Sequence, residues 1–327
     1  VRIIATITVN YATKDTIGIR EDLEDIIYRI DPTETPFTSG GGRSTATQRY
    51  HEWQIQKLAT AAPTGTNAAV EGADAKAATA VQTSRVGNRT QIMTEVVNVS
   101  GTNRVVDAAG RADELEYQIL LKGLELKRAI EVQMIQNSPS RIDNGTLAGL
   151  SAGFESWLTT NVDRGPGNGT AGASGGFSAG IVNAPTDANA TRAFQEAMLK
   201  SAMASCYNNG GKPTILSLGV LQKQVFSTFQ GIAVNRFQLT KPEMGTIIGA
   251  ADIYVSDFGQ LAVVPNIFQR NRSALLISPK YYKICTLRGM RNFPLAKTGD
   301  ADKREILTEL TLEVCNEAAH AVIADLS

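Results

Sequence analysis

The sequence is poor in the residues that most often carry chemistry. Histidine occurs twice, at His51 and His320, and cysteine three times, at Cys206, Cys285 and Cys315. The cysteines are odd in number, widely spaced and never arranged as CxxC, which argues against a disulfide framework or a zinc site and fits a reducing compartment. Neither charge sign is in excess. The 32 Lys and Arg balance 32 Asp and Glu, so composition offers no basic surface for reading nucleic acid and no acidic excess that would favour disorder. No run of about 18 apolar residues is present to make a membrane-spanning helix. The opening Val1-Arg2-Ile3-Ile4-Ala5 is too short an apolar stretch for a signal peptide, so export is not expected.

Catalytic signatures are missing as well. There is no Walker loop, no strand followed by GxGxxG, no HExxH and no EF-hand loop. Two GxSxG matches centre on Ser174 and Ser178, but both lie in Gly- and Ser-rich sequence, whereas a nucleophile elbow needs a sharp turn between a strand and a helix. The two histidines stand alone in the sequence and are read as structural. Carboxylates fall beside basic partners, Glu125 with Arg128 and Lys127 with Glu131, as on a solvated helix face. No catalytic, cofactor-binding or metal-ligating residue is assigned, and no cofactor is expected.

What the chain does contain is enough apolar residue, 43% of 327, to bury one large core or two modest ones. Ile19, Leu23, Ile26, Ile27 and Ile30 fall at helical spacing before Asp31-Pro32, in a stretch too short to bury its stripe unaided. Tyr50 to Ile55 and Ile92 to Val97 read as two strands. They flank Ala59 to Thr83, which is rich in Ala, Thr and Gly and cannot carry a core, so a long, weakly apolar hairpin is expected. From Thr102 to about Asn137 the apolar period becomes helical and predicts one long helix of about 35 residues, roughly 50 Å, capped by Thr102 or Asn103 and stopped by Pro139.

The segment 161–183 reads as a glycine-rich loop, and a compact α/β unit begins after Pro185. Helices are expected over Ala193 to Cys206 and Leu221 to Phe229. Short strands are expected at Thr214 to Leu218, Ile253 to Val255, Leu261 to Val264, Ala274 to Ile277 and Tyr281 to Cys285. Arg304 to Val314 alternates as a long strand with one mainly charged face.

This order of elements resembles the Hong Kong 97-type major capsid fold of tailed phages, an α+β fold. Local sequence carries the likeness further. Ile17-Gly18-Ile19-Arg20-Glu21-Asp22-Leu23 and Asp31-Pro32-Thr33-Glu34-Thr35-Pro36-Phe37 are similar to the opening of a phage major head protein family formerly catalogued as a domain of unknown function. Tyr50-His51-Glu52-Trp53, Val70-Glu71-Gly72, Glu125-Leu126-Lys127-Arg128, Trp157 to Asn161, Leu295 to Asp300 and Leu312 to Glu317 extend it over most of the chain.

The resemblance implies an N-terminal arm (1–42), an extended β-hairpin loop (43–99), a peripheral domain with spine helix and glycine-rich loop (100–185), an axial α/β domain (186–300) and a returning peripheral strand (301–327). It implies a subunit that assembles with itself, as hexamers and pentamers, into an icosahedral or prolate head around double-stranded DNA, without sequence-specific contacts and without a membrane. Portal, scaffold or decoration proteins would be its other partners, and the virion its location after assembly in the host bacterial cytoplasm. Lys57 and Lys76 lie in the hairpin, yet nothing identifies the asparagine and glutamate that covalent cross-linking would need. A nanocompartment shell subunit of the same fold and a surface-binding or adhesive module are the competing readings.

Overall fold

The computed structural model describes residues 30–58, 68–74, 81–106, 110–165, 170–229 and 252–327. The amphipathic stretch from Ile19 to Ile27 lies outside them, as does much of the span from Ala59 to Thr83.

In chain order, one helical turn α1 (Pro36–Gly40) leads to strand β1 (Gly42–Thr45) and to the antiparallel pair β2 (Tyr50–Ile55) and β3 (Ser84–Arg89). Strand β4 (Gln91–Ser100), short helix α2 (Gly101–Val105) and long helix α3 (Glu114–Ile135) follow. Next come α4 (Phe154–Trp157), β5 (Val162–Asp163) and a small hairpin of β6 (Gly176–Ser178) and β7 (Ile181–Asn183). Then α5 (Glu196–Asn208), β8 (Ile215–Leu218), α6 (Val220–Phe226), β9 (Ile253–Ser256), β10 (Gly259–Pro265) and β11 (Ser273–Ile277) alternate. Strands β12 (Tyr282–Pro294), β13 (Ala301–Val314) and β14 (Ala321–Ala324) close the chain.

These elements make an α+β architecture around two main sheets, one ordered β1-β12-β13-β4 and one ordered β5-β14-β11-β8-β10-β9. The six-stranded sheet is buried on both sides at its inner strands β14, β11 and β8, while its β9 edge is exposed. Along β11, Ala274 and Leu276 pack with α5 and α6, while Leu275 and Ile277 pack with α3, α4 and the four-stranded sheet. Strand β14 divides in the same way, Ala321 and Ile323 against Val322 and Ala324. A strand wetted on neither face reads as a continuous apolar run, which is how both appear in the sequence.

Several expectations change, among them the glycine-rich loop read over 161–183, which carries β5 and the β6–β7 hairpin. The helix predicted from Thr102 to Asn137 is two helices, because Gly110 takes a positive φ of 76° and Asp113 starts a new helix by accepting the Leu115 N–H at 2.9 Å. Capping therefore falls to Ser100 for α2 and Asp113 for α3, and the 22 residues of α3 span about 33 Å. Arg104 braces the junction, 2.8 Å from Asp113 and 2.6 Å from Asp302.

The hairpin partner of Tyr50–Ile55 is Ser84–Arg89, with Tyr50 opposite Arg89. Ile92 to Val97 pairs instead with β13. Residues 43–99 thus contribute to more than one sheet. Likewise the strand expected at Tyr281 to Cys285 in the α/β unit is, from Tyr282 on, the opening of β12, which runs antiparallel to β13 from Tyr282 opposite Val314 to Pro294 opposite Arg304. The mainly charged face of β13 is buried at Glu309 and Glu313, and beyond β13 the chain returns to the six-stranded sheet through β14.

Gly123 sits inside α3 with open space where a Cβ would be. Gly123→Ala should therefore stabilise the chain by about 0.5–1 kcal/mol through helix propensity and lost unfolded-state freedom, read as a raised urea midpoint at unchanged slope.

Candidate assembly interface

The hairpin β2–β3 is attached to the body through its inward side chains. Trp53 donates its indole N–H to the Val314 carbonyl at 3.1 Å and packs on Trp157 with ring centroids 5.1 Å apart. From β3, the fully buried Asn88 donates to the Leu312 carbonyl at 2.8 Å, and its Oδ1 accepts the Ala152 N–H at 3.0 Å. A buried side-chain amide with both ends satisfied fixes where the strand can sit, because any shift would strand a polar group away from water. In the sequence Asn88 is visible only as part of an Asn-x-Thr triplet, which carries none of this.

The end of the N-terminal segment is held by Glu131. This carboxylate is 0% exposed and does not pair with Lys127; the expectation of a solvated face fails here. It accepts the backbone N–H groups of Phe37 and Thr38, each at 2.8 Å, and the Asn266 side-chain amide at 2.7 Å. The two N–H groups belong to the first turn of α1, which leaves such donors without intrahelical acceptors. Phe37 then stacks on Tyr282 at 4.6 Å, and the Tyr282 hydroxyl donates to the Phe37 carbonyl at 2.9 Å. A Cβ at Gly41 would collide with the Tyr282 ring, so glycine is needed where the chain crosses it.

His51 leaves β2 to meet Glu313 on β13, with Nε2 3.1 Å from Oε2. The same carboxylate lies 3.3 Å from the Lys283 ammonium, 3.2 Å from Cys285 Sγ and 3.4 Å from Cys315 Sγ. Burial alone would raise the Glu313 carboxyl, but hydrogen bonds from His51 and both thiols, with the Lys283 charge, hold it below the ordinary value. Burial and then the Glu313 carboxylate push Cys285 up to about 12 and Cys315 up to about 11. The thiols are therefore protonated donors, not nucleophiles.

The other residues singled out from sequence are dispersed. Ser174 is exposed in a loop and Ser178 is exposed at the tip of the β6–β7 hairpin, so neither has the strand-turn-helix setting of a nucleophile. Cys206 is buried in α5, where burial and the Glu317 charge raise its thiol to about 12. His320 is fully buried against Phe154, with ring centroids 4.9 Å apart. Its Nδ1 accepts the Ser278 N–H at 3.1 Å and its Nε2 faces the Tyr281 carbonyl at 3.4 Å, an arrangement for a neutral ring.

Apolar surface lies at the outer ends of both attachments. Ile30 is 100% exposed, Leu58 95% and Val70 79%, and Ile92 and Val96 face outward along β4. Such groups gain burial only against another surface.

The sequence model of a family described as SU10 major capsid protein matches residues 6–327. The chain is also similar to the major capsid protein of Escherichia phage Phieco32, 24% identical over 96% of each chain. In structure it is similar to a chain of the Cyanophage A-1(L) capsid asymmetric unit, with a TM-score of 0.63 at 13% identity over 97% of this chain and 98% of that one. A chain from the capsid of a native GTA particle gives 0.62 at 12% identity, over 96% and 98%. One from phage G, in a structure of major capsid and decoration proteins, gives 0.53 at 10%, over 99% and 100%.

Glu131→Ala should cost roughly 3 kcal/mol or more, because it leaves three buried donors without an acceptor, and limited proteolysis should then cut near Phe37. Glu131→Gln, which keeps one acceptor oxygen, should lose less. Burial lowers the His320 pKa from 6.5 to about 4. Between those values the unfolded state takes up the proton first, so stability is full above about pH 6.5 and falls as pH drops toward 4, by roughly 3 kcal/mol. In chemical denaturation at pH 7 and 4.5, His320→Gln should show a smaller loss on acidification than the unaltered chain.

Proposed function

Because the chain belongs to the SU10 major capsid protein family, and so forms the head of a tailed phage, we propose that it does this through its N-terminal arm and its hairpin. It is a structural component of the virion capsid and not an enzyme. In this reading residues 1–42 are the arm. The extended loop of 43–99 is the hairpin of β2 and β3, rooted on β13. Residues 100–185 and 301–327 supply the peripheral domain around α3, and 186–300 supply most of the axial domain. The subunits associate as hexamers and pentamers that close around double-stranded DNA, with portal, scaffold or decoration proteins as further partners.

The observation that supports this reading most directly is the pair of attachments. Arm and hairpin are each held firmly at a buried root, by Glu131 and by Asn88 with Trp53, while Ile30, Leu58 and Val70 beyond those roots are left in solvent. A chain that fixes the direction of an apolar segment without covering it is built to cover it with another copy. Balanced charge, 32 against 32, suits a wall that meets DNA without reading it.

Removal of Val1 to Ile30 should leave a soluble, folded chain that forms no closed shells, observed by negative-stain electron microscopy beside circular dichroism. Normal shells from the shortened chain would refute the role given to the arm.

A further inference from the structure

We propose that His51, Cys285, Glu313 and Cys315 form a zinc site at the root of the hairpin. Donor atoms of His51, Cys285 and Glu313 all lie within 4.8 Å of one another. Two of the edges are shorter still: 3.1 Å from His51 Nε2 to Glu313 Oε2 and 3.2 Å from Cys285 Sγ to the same oxygen. Cys315 Sγ stands 3.4 Å from the other carboxylate oxygen. A tetrahedral zinc ion with bonds of about 2.0–2.3 Å holds its ligand atoms roughly 3.3–3.8 Å apart, so His51, Cys285 and Glu313 need only small rotations to share one, while Cys315, more than 4.8 Å from at least one of their donor atoms, swings further to complete the four.

The backbone explains why they meet. Lys283 is opposite Glu313 in the antiparallel β12–β13 pair, and with side chains alternating along a strand, Cys285 and Cys315 fall on the same face, two positions to either side of that pair, with Glu313 between them. His51 arrives from a third strand, β2, separated from Glu313 by 262 positions. Among the described residues no other group of three or more His, Cys, Asp or Glu offers such a set.

The chemistry of the set selects the ion. One imidazole nitrogen, two sulfurs and one carboxylate oxygen suit borderline-soft zinc and not magnesium or calcium, which take oxygen ligands. Without metal, both thiols donate hydrogen bonds to Glu313. On coordination the zinc takes lone pairs from neutral His51 and from Glu313, and the two thiol protons leave to solvent. Zinc with two thiolates and a carboxylate carries one net negative charge, and Lys283, 3.3 Å from Glu313, is placed to neutralise it. Cys285 and Glu313 are buried, which keeps water off the ligands. The ion would pin β2 to the β12–β13 pair at the point from which the hairpin departs, independently of how that hairpin meets other subunits.

The test uses the full chain purified in reductant, stripped of metal and titrated with Co²⁺ as a spectroscopic probe. One equivalent should produce visible ligand-field bands with a sulfur-to-cobalt charge-transfer band, and zinc should displace it. Cys285→Ser and Cys315→Ser should each weaken the charge-transfer band, the double variant should abolish it, and His51→Ala should weaken cobalt binding at least tenfold. Cys206→Ser, remote from the cluster, should leave the spectrum unchanged. Zinc should also raise the melting temperature of the unaltered chain and not that of the double variant. A folded chain by circular dichroism that gives no charge-transfer band, or a band that survives in the double variant, would overturn the site and leave the thiols as hydrogen-bond donors only.

Discussion

Burying a carboxylate costs several kcal/mol unless donors surround it, and Glu131 has no exposure at all. Its donors come from two remote places, the first turn of α1 and the side chain of Asn266 after β10, and meet it on the long helix α3 that carries it. None of these contacts can be given up singly, because each loss leaves a buried donor or a buried charge unpaired. The geometry of the N-terminal segment, the long helix and the six-stranded sheet is thereby fixed relative to one another. Phe37 follows from it, since the same two N–H groups that Glu131 accepts bring that ring onto Tyr282.

The second constraint is a sheet whose inner strands have no wet face. Strands β11 and β14 supply apolar side chains to both cores, so the helices α5 and α6 on one side and the α3 layer on the other cannot move apart without exposing one of them. Strands β12 and β13 then extend out of this doubly buried region as a long antiparallel pair, fully buried at the Tyr282 and Val314 end and exposed along Gly289 to Leu295. Rigid attachment near the core and open surface away from it suit a head subunit, in which contacts between copies must be made at defined angles while each copy folds first by itself.

The hairpin root shows how polar groups serve that end. Apolar packing of Trp53 on Trp157 is tolerant of small sliding, whereas the Asn88 amide and the Glu313 cluster accept one placement. Hydrogen bonds set the direction, and in the proposed assembly the apolar surface they aim supplies the affinity. The neutral His320 and the protonated thiols belong to this same set of satisfied buried groups.

Local pattern alone determined most of the element types: the strand at Tyr50–Ile55, the helix ending near Pro139, the apolar strands at Ile215–Leu218 and Ser273–Ile277, and the long alternation of β13. Those are properties of periodicity over neighbouring residues, which one chain reveals unaided. Together with the motifs near Asp31-Pro32 and Tyr50-His51-Glu52-Trp53, they were enough to suggest the family. Only the tertiary structure decided the pairings and the fate of the charges. Periodicity offers Tyr50–Ile55 only Ile92–Val97 as a partner, and nothing short of the Asn88 contacts and the β4–β13 register selects Ser84–Arg89 instead. Glu131 has the spacing of a surface ion pair with Lys127, yet it is buried because α1 brings two N–H groups to it from 94 and 93 positions away. The Glu313 cluster draws on three strands whose sequence spacing carries no signature. Periodicity reports which face of an element is apolar, but partners across such distances are chosen by packing and by the demand that every buried polar group be met, and that demand exists only once the chain has folded.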